Sequence, residues 1–179
     1  TFSSLVQRIT PDTAAHTRSG QSLWVIDATT KMDWASNNGW YMDLPKTRER
    51  LLKPMNFYDG SNVLTVFSQV PAKGSHLDPN VESCDAGSVD DERQYMTLIN
   101  IMDGKPPSVQ IMDTNLDGQY NLASDIGASV IIVPGGPVTM IKKGNKMVVS
   151  GANKNGSTFQ EELALMPEVS MRPSWRQLK

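Results

Sequence analysis

Asp113, Asn115 and Asp117 stand at alternate positions, Gly118 follows at once, and more oxygen-bearing side chains come at Asn121, Ser124 and Asp125. A hard cation such as calcium is held by oxygen ligands delivered from alternate loop residues, with a glycine at the sharp turn. Positions one, three and five of this stretch would aim their oxygens into one small volume. Gly118 would let the backbone turn so that the carbonyl of Gln119 joins them, and Asn121 and Asp125 would extend the set. An Asp/Asn/Gly run is also the composition of an ordinary surface turn. The triple spacing with the glycine is what points to a calcium site.

Other chemistry is sparse. His16 and His76 are the only histidines and Cys84 is the only cysteine. No C-x-x-C, H-E-x-x-H, G-x-S-x-G or phosphate-cradling glycine loop accompanies them, so the sequence predicts neither zinc nor a nucleophile, and no enzyme. Cys84 cannot form an internal disulfide; in a secreted protein its partner would belong to a missing part of a longer chain. The formal net charge of −2 supplies no field to hold nucleic acid or an anionic membrane. Lys142, Lys143, Lys146 and Lys154 form the one basic cluster and read as a solvated hairpin tip. No apolar run approaches the ~20 residues that a membrane helix needs. The start, Thr1-Phe-Ser-Ser, has no basic leader and no initiator Met, which reads as an excised part of a longer precursor. A length of 179 residues suits one domain.

The elements that must position the loop read as strands. Leu5 to Ile9 and Ser22 to Asp27 are short strand candidates, separated by a polar stretch through Gly20 expected as loop. Gly39 to Pro45 is an extended aromatic run ending at a proline. Asp59-Gly60 between Met55–Tyr58 and Asn62–Gln69 is a hairpin signal, because both central turn residues take positive φ. Val63, Thr65 and Phe67 share one face of the second strand and Leu64 and Val66 the other, so that strand is expected to be covered on both sides. Residues 71–92 lose all period and read as a long loop insertion. Arg93 to Met102 is the most convincing strand; Asp103-Gly104 would turn it back into Ser108–Met112, which runs into the calcium-like loop. Ala128–Val133, Val138–Ile141 and Lys146–Ser150 are spaced as a β-meander. Thr158 with Glu161 could be a capping box opening a short helix, although Phe159–Leu165 fits a strand slightly better. Trp175 has the size of a buried anchor. Recurring hairpins argue an all-β fold, either propeller blades or a sandwich.

Several motifs, in order, resemble the C-terminal region of the PilC/PilY family of type IV pilus-associated adhesins and biogenesis proteins. They are Gly39-Trp-Tyr-Met-Asp-Leu-Pro45, Arg48-Glu-Arg50, the hairpin into Val63-Leu-Thr-Val-Phe67, Asp-x-Asn-x-Asp-Gly at 113–118, and Ser174-Trp-Arg-Gln-Leu178. The resemblance implies antiparallel hairpins and a meander forming the last portion of a modified β-propeller. It further implies calcium binding and an extracellular, pilus-associated place on the bacterial surface. Minor pilins, the remainder of the parent chain and a host-surface ligand would be the partners, in pilus biogenesis, twitching motility and adhesion. The loop match carries over Asp113, Asn115 and Asp117 as side-chain ligands, Gln119 through its carbonyl, and Asn121 at the ninth position. Family loops of this kind have an acid at the twelfth place. Here Ser124 stands there and Asp125 comes one residue later, so the closing ligand is one or the other. Without a bidentate glutamate the expected affinity lies at roughly 10⁻⁴ to 10⁻³ M, as in extracellular modules. A calcium-stabilised accessory β-domain of a secreted enzyme is the alternative reading. A dockerin-like module would need a second such loop and helical flanks.

Overall fold

Residues 63–70 and 93–100 are rich in β-branched and aromatic side chains on both alternating faces, and such strands are stable only where both faces of the sheet are covered. The computed structural model, which describes residues 4–71, 93–153 and 155–167, has this arrangement. Its strands are β1 (Leu5–Arg8), β2 (His16–Arg18), β3 (Gln21–Trp24), β4 (Gly39–Met42), β5 (Arg50–Leu51), β6 (Asn56–Phe57), β7 (Val63–Val70), β8 (Arg93–Asn100), β9 (Val130–Val133), β10 (Val138–Lys143), β11 (Lys146–Ala152) and β12 (Thr158–Ala164). The all-β expectation holds, and no α-helix forms among the described residues. Residues 158–164, ambiguous in sequence, form a strand.

The largest sheet has the order β2-β3-β9-β8-β7-β5, with β6 also paired to β7. All its pairings are antiparallel, with β7 and β8 in register over their full length from Val63↔Asn100 to Val70↔Arg93. The alternation along β7 sorts its side chains into two cores. Val63 and Phe67 join Leu23, Met96, Leu98 and Ile131 on one face, together with Val149 and Leu163 of the three-stranded sheet β10-β11-β12. Val66 joins Trp24, Tyr95, Ile99 and Val130 on the other. Trp40 and Met42 of β4 pack on this second core. β4 pairs in parallel with β1, the one parallel pairing among the described strands. Trp24 and Tyr95 meet edge to face, their centroids 5.8 Å apart, the arrangement that opposed ring quadrupoles favour. The described strands close into neither a barrel nor a ring of blades.

Three expectations are corrected. Residues 13–20 are not all loop: His16–Arg18 pairs with Gln21–Trp24, and Ser19 and Gly20, at φ 47° and 80°, make the turn. The strand at 93–100 does not fold back onto 108–112. Pro106 and Pro107 withhold the N–H groups that a returning ladder would need; the chain instead makes a tight turn in which Gly104 N donates to Asn100 O at 2.9 Å, and β8 takes β7 and β9 as neighbours. Residues 128–150 are not one meander. β9 lies in the large sheet, and Pro134 to Pro137 carries the chain across to β10, so the meander proper is β10-β11-β12. The Asp59-Gly60 hairpin is present, with Asn56↔Thr65 and Phe57↔Leu64 paired and φ of 45° and 68° at the turn. Cys84, His76, Lys154, Trp175 and the segment 72–92 lie outside the described residues.

Candidate metal centre

The stretch 113–125 is fastened at both ends. At its entry Met112 bridges Leu163 of β12, and Ala164 N donates to Ile111 O at 2.9 Å. Beyond its exit Ser129 N donates to Trp24 O at 2.9 Å, and Ser129 O accepts Leu98 N at 2.7 Å, leading directly into β9. The loop therefore spans from the edge of the three-stranded sheet to the middle of the large one.

The first half winds around Asp113. Its Oδ1 accepts Leu116 N at 2.6 Å and its Oδ2 accepts Gly118 N at 2.8 Å. Asn115 Oδ1 accepts Asp117 N at 2.9 Å, Asp117 Oδ1 accepts Gln119 N at 2.7 Å, and Asn115 Nδ2 donates to Asp117 Oδ2 at 3.1 Å. Each oxygen of Asp113 thus keeps a lone pair beyond its one N–H partner. Leu116 and Gly118 take positive φ, 64° and 79°, which allows the tight winding. Asp113 is buried, whereas residues 115–119 are exposed.

The second half is organised differently. Asn121 Oδ1 accepts from Ala123 N, Ser124 N and Ser124 Oγ, closing a turn on itself. Asp125 reaches back across the loop: its Oδ1 accepts Thr114 N at 2.7 Å and Thr114 Oγ1 at 2.9 Å, and its Oδ2 accepts Asn121 N at 3.0 Å. Burial alone would push the Asp125 carboxyl up, but the donors from Asn121 and Thr114 outweigh it and hold the group below the ordinary aspartate range. The structure thus brings Asp113, Asn115, Asp117 and Gln119 into one network and Asn121, Ser124 and Asp125 into another, joined through the buried Thr114.

Beneath the entry lies a buried ion pair. Arg18 of β2 donates to the main-chain carbonyl of Asp113, to Glu161 Oε2 of β12 at 2.6 Å and to Gln21 Oε1 at 2.8 Å. Burial pushes the Glu161 carboxyl up despite the opposing pull of Arg18. Sequence reasoning missed Arg18, Gln21, Glu161 and Thr114. Arg18 and Glu161 are 143 positions apart, and no local pattern joins them. Tyr120 is half-buried, with Lys146 Nζ 5.9 Å from its ring centroid.

No group of three or more His, Cys, Asp or Glu side chains converges among the described residues. The first half of the loop offers a mixed donor set instead: the carboxylates of Asp113 and Asp117, the amide oxygen of Asn115 and the carbonyl of Gln119. All are oxygens, which fits a hard divalent cation and not zinc or copper.

The fold has a match of known structure. It is similar to the crystal structure of the Pseudomonas aeruginosa PilY1 C-terminal domain, with a TM-score of 0.59 and 15% sequence identity. The likeness covers 94% of this chain and 33% of that one, so the chain spans about a third of that structure's length. No family model matches the chain, and no curated protein matches it. At this identity the likeness speaks for the PilY1-like fold.

Proposed function

We propose that this chain is the calcium-binding C-terminal part of a type IV pilus-associated adhesin or assembly factor. In this reading it forms the last portion of a modified β-propeller and acts at the bacterial surface through contacts with minor pilins and the remainder of its parent chain. The observation that carries the reading is the PilY1-like fold over nearly the whole chain. The loop at 113–125 supports the calcium part. Asp113, Asn115, Asp117 and the Gln119 carbonyl would hold the ion, while Asn121 and Asp125 close the loop around them. Bound there, calcium would neutralise two adjacent carboxylates and stiffen an exposed segment between two sheets. Nothing in the reading requires a reaction, and no catalytic role is assigned.

Terbium offers a direct test, since Tyr120 adjoins Gln119 and would sensitise its luminescence. The wild type should give terbium emission that calcium displaces, and a melting temperature that calcium raises and a chelator lowers. Asp117→Ala should lose both effects. A wild type with neither response would remove calcium from the proposal. Capture of minor pilins on the immobilised chain, with and without calcium, tests the pilus half. If no pilin is retained in either condition while calcium still stabilises the protein, the accessory-domain alternative takes its place.

A further inference from the structure

Of the five ion pairs among the described residues, only Arg18–Glu161 is buried at both ends, with side-chain exposures of 6% and 7%. The pair is end-on. Glu161 Oε2 takes the bond from Arg18, and Glu161 Oε1 has no hydrogen-bond partner. A buried pair with an open oxygen recovers its desolvation cost poorly, so a contribution to stability is a weak account of its presence. The geometry of the guanidinium gives a better one. Its planar fork presents donors in two fixed directions: one nitrogen bonds the Asp113 carbonyl, the other bonds Glu161 and Gln21. Gln21 is itself held, its Nε2 donating to Ile132 O at 3.1 Å. Arg18 therefore ties the β2–β3 hairpin, β9 and β12 to the main chain of one loop residue.

That residue is the one around which the first half of the loop winds. A shift of the Asp113 carbonyl moves its Cα and carboxylate together, and with them the N–H groups of Leu116 and Gly118. The neighbouring tie is the Met112–Leu163 bridge with Ala164 N on Ile111 O, so the segment before the loop and the edge of β12 are one assembly.

We infer that the Arg18–Glu161 pair is a positioning device for the cation loop, and that it couples occupancy of the loop to the seating of β12 on the large sheet. The inference rests on the loop being a cation site. A loop whose first ligand is held in place binds without first ordering that ligand, so its affinity is higher. By linkage, an ion that favours the ordered loop must also favour the seated strand.

The double variant Arg18→Met/Glu161→Leu tests this, because a well-packed apolar pair commonly preserves the stability that a buried ion pair had. Two measurements are made on the full chain: terbium affinity by Tyr120-sensitised luminescence, and hydrogen exchange at the Ala164 amide in calcium and in chelator. In the wild type, calcium should slow exchange at Ala164. The folded double variant should bind terbium about ten-fold more weakly or worse and lose the calcium effect at Ala164. Arg18→Lys serves as the second variant. It keeps the buried cation beside Glu161 but not the fork, and the same two losses are expected. Either folded variant binding within two-fold of wild type, with the calcium effect at Ala164 intact, overturns the positioning role while leaving the loop as a cation site. A wild type that does not bind terbium overturns the cation reading and the inference together.

Discussion

Leu116 is the residue at which the loop is strained. It takes φ 64° while 59% exposed, so a branched side chain sits in the left-handed region without burial to offset the cost. That conformation costs an ordinary L-residue about 1–2 kcal/mol, and asparagine tolerates it better. Leu116→Asn should therefore stabilise the protein by about 0.5–1 kcal/mol, read as a higher urea midpoint in chelator at unchanged slope. A lower midpoint would mean that Leu116 makes contacts worth more than the strain. Asp125 makes a prediction of the opposite kind. Its folded pKa is lowered from the ordinary 3.8, so the stability it contributes is present above that pH and is lost as pH falls through the folded value. In chelator, the melting-temperature gap between wild type and Asp125→Asn should shrink below about pH 4. A gap independent of pH would show that the carboxylate charge is not what holds Thr114 and Asn121. Glu161 has the reverse sign: its folded pKa is raised, so its contribution falls as pH rises from the ordinary 4.5 toward the folded value. At this scale the sequence was legible where chemistry was local. Spacing alone picked out Asp113, Asn115 and Asp117 as a candidate ligand set. Thr114 stood among them unnoticed, because a threonine hydroxyl bridging inward has no periodic signature. Arg18 and Glu161 depend on a fold that brings residues 18, 113 and 161 together.

Among the elements, the short turn after β8 sets the most demanding constraint. Gly104 takes φ 67°, and a Cβ there would come within 2.5 Å of Trp40 Cδ2 and 2.8 Å of Arg8 Cγ. Both neighbours are fixed: Trp40 Nε1 donates to Ile101 O, and Arg8 Nε donates to Asp103 O, each at 2.9 Å. Gly104→Ala combines left-handed strain with overpacking against the β1–β4 pair and should cost about 2–4 kcal/mol, seen as a marked fall in melting temperature. A loss below 1 kcal/mol would mean that the indole swings aside freely. The Asp103-Gly104 dipeptide was legible as a turn, but its partner was not. Pro106 and Pro107 are the signal against a returning strand, since neither has an N–H to give to a ladder. β5 and β6, two residues each, show the other limit, since pairings so short carry no period. The Ser19-Gly20 turn resembles Asp59-Gly60 in its positive φ values, yet the polar strand His16–Arg18 before it hid the hairpin.

For the molecule as a whole, the recurring hairpins made the all-β class legible. Alternation along β7 correctly foretold that both faces of its sheet are covered. Which strands neighbour one another was not legible, because order in a sheet is decided by which apolar faces complete a core, a property of the assembled chain. The division into a large sheet and a three-stranded one follows from Pro134 to Pro137, which the strand spacing alone placed inside a single meander.

The pairing of β3 with β9 has a further consequence for how the chain reaches this state. Leu23 meets Ile131 and Trp24 meets Val130, so the ladder that fills the middle of the large sheet joins residues more than a hundred positions apart. Loop closure over such a span must precede any gain from the contacts it makes, which slows the search for the native arrangement. Until Val130 has been added to a growing chain, Leu23 and Trp24 lack their partners and stay available for association with other molecules. The same long-range seam that places the loop between two sheets therefore makes this a chain that benefits from being held unfolded until its synthesis is complete.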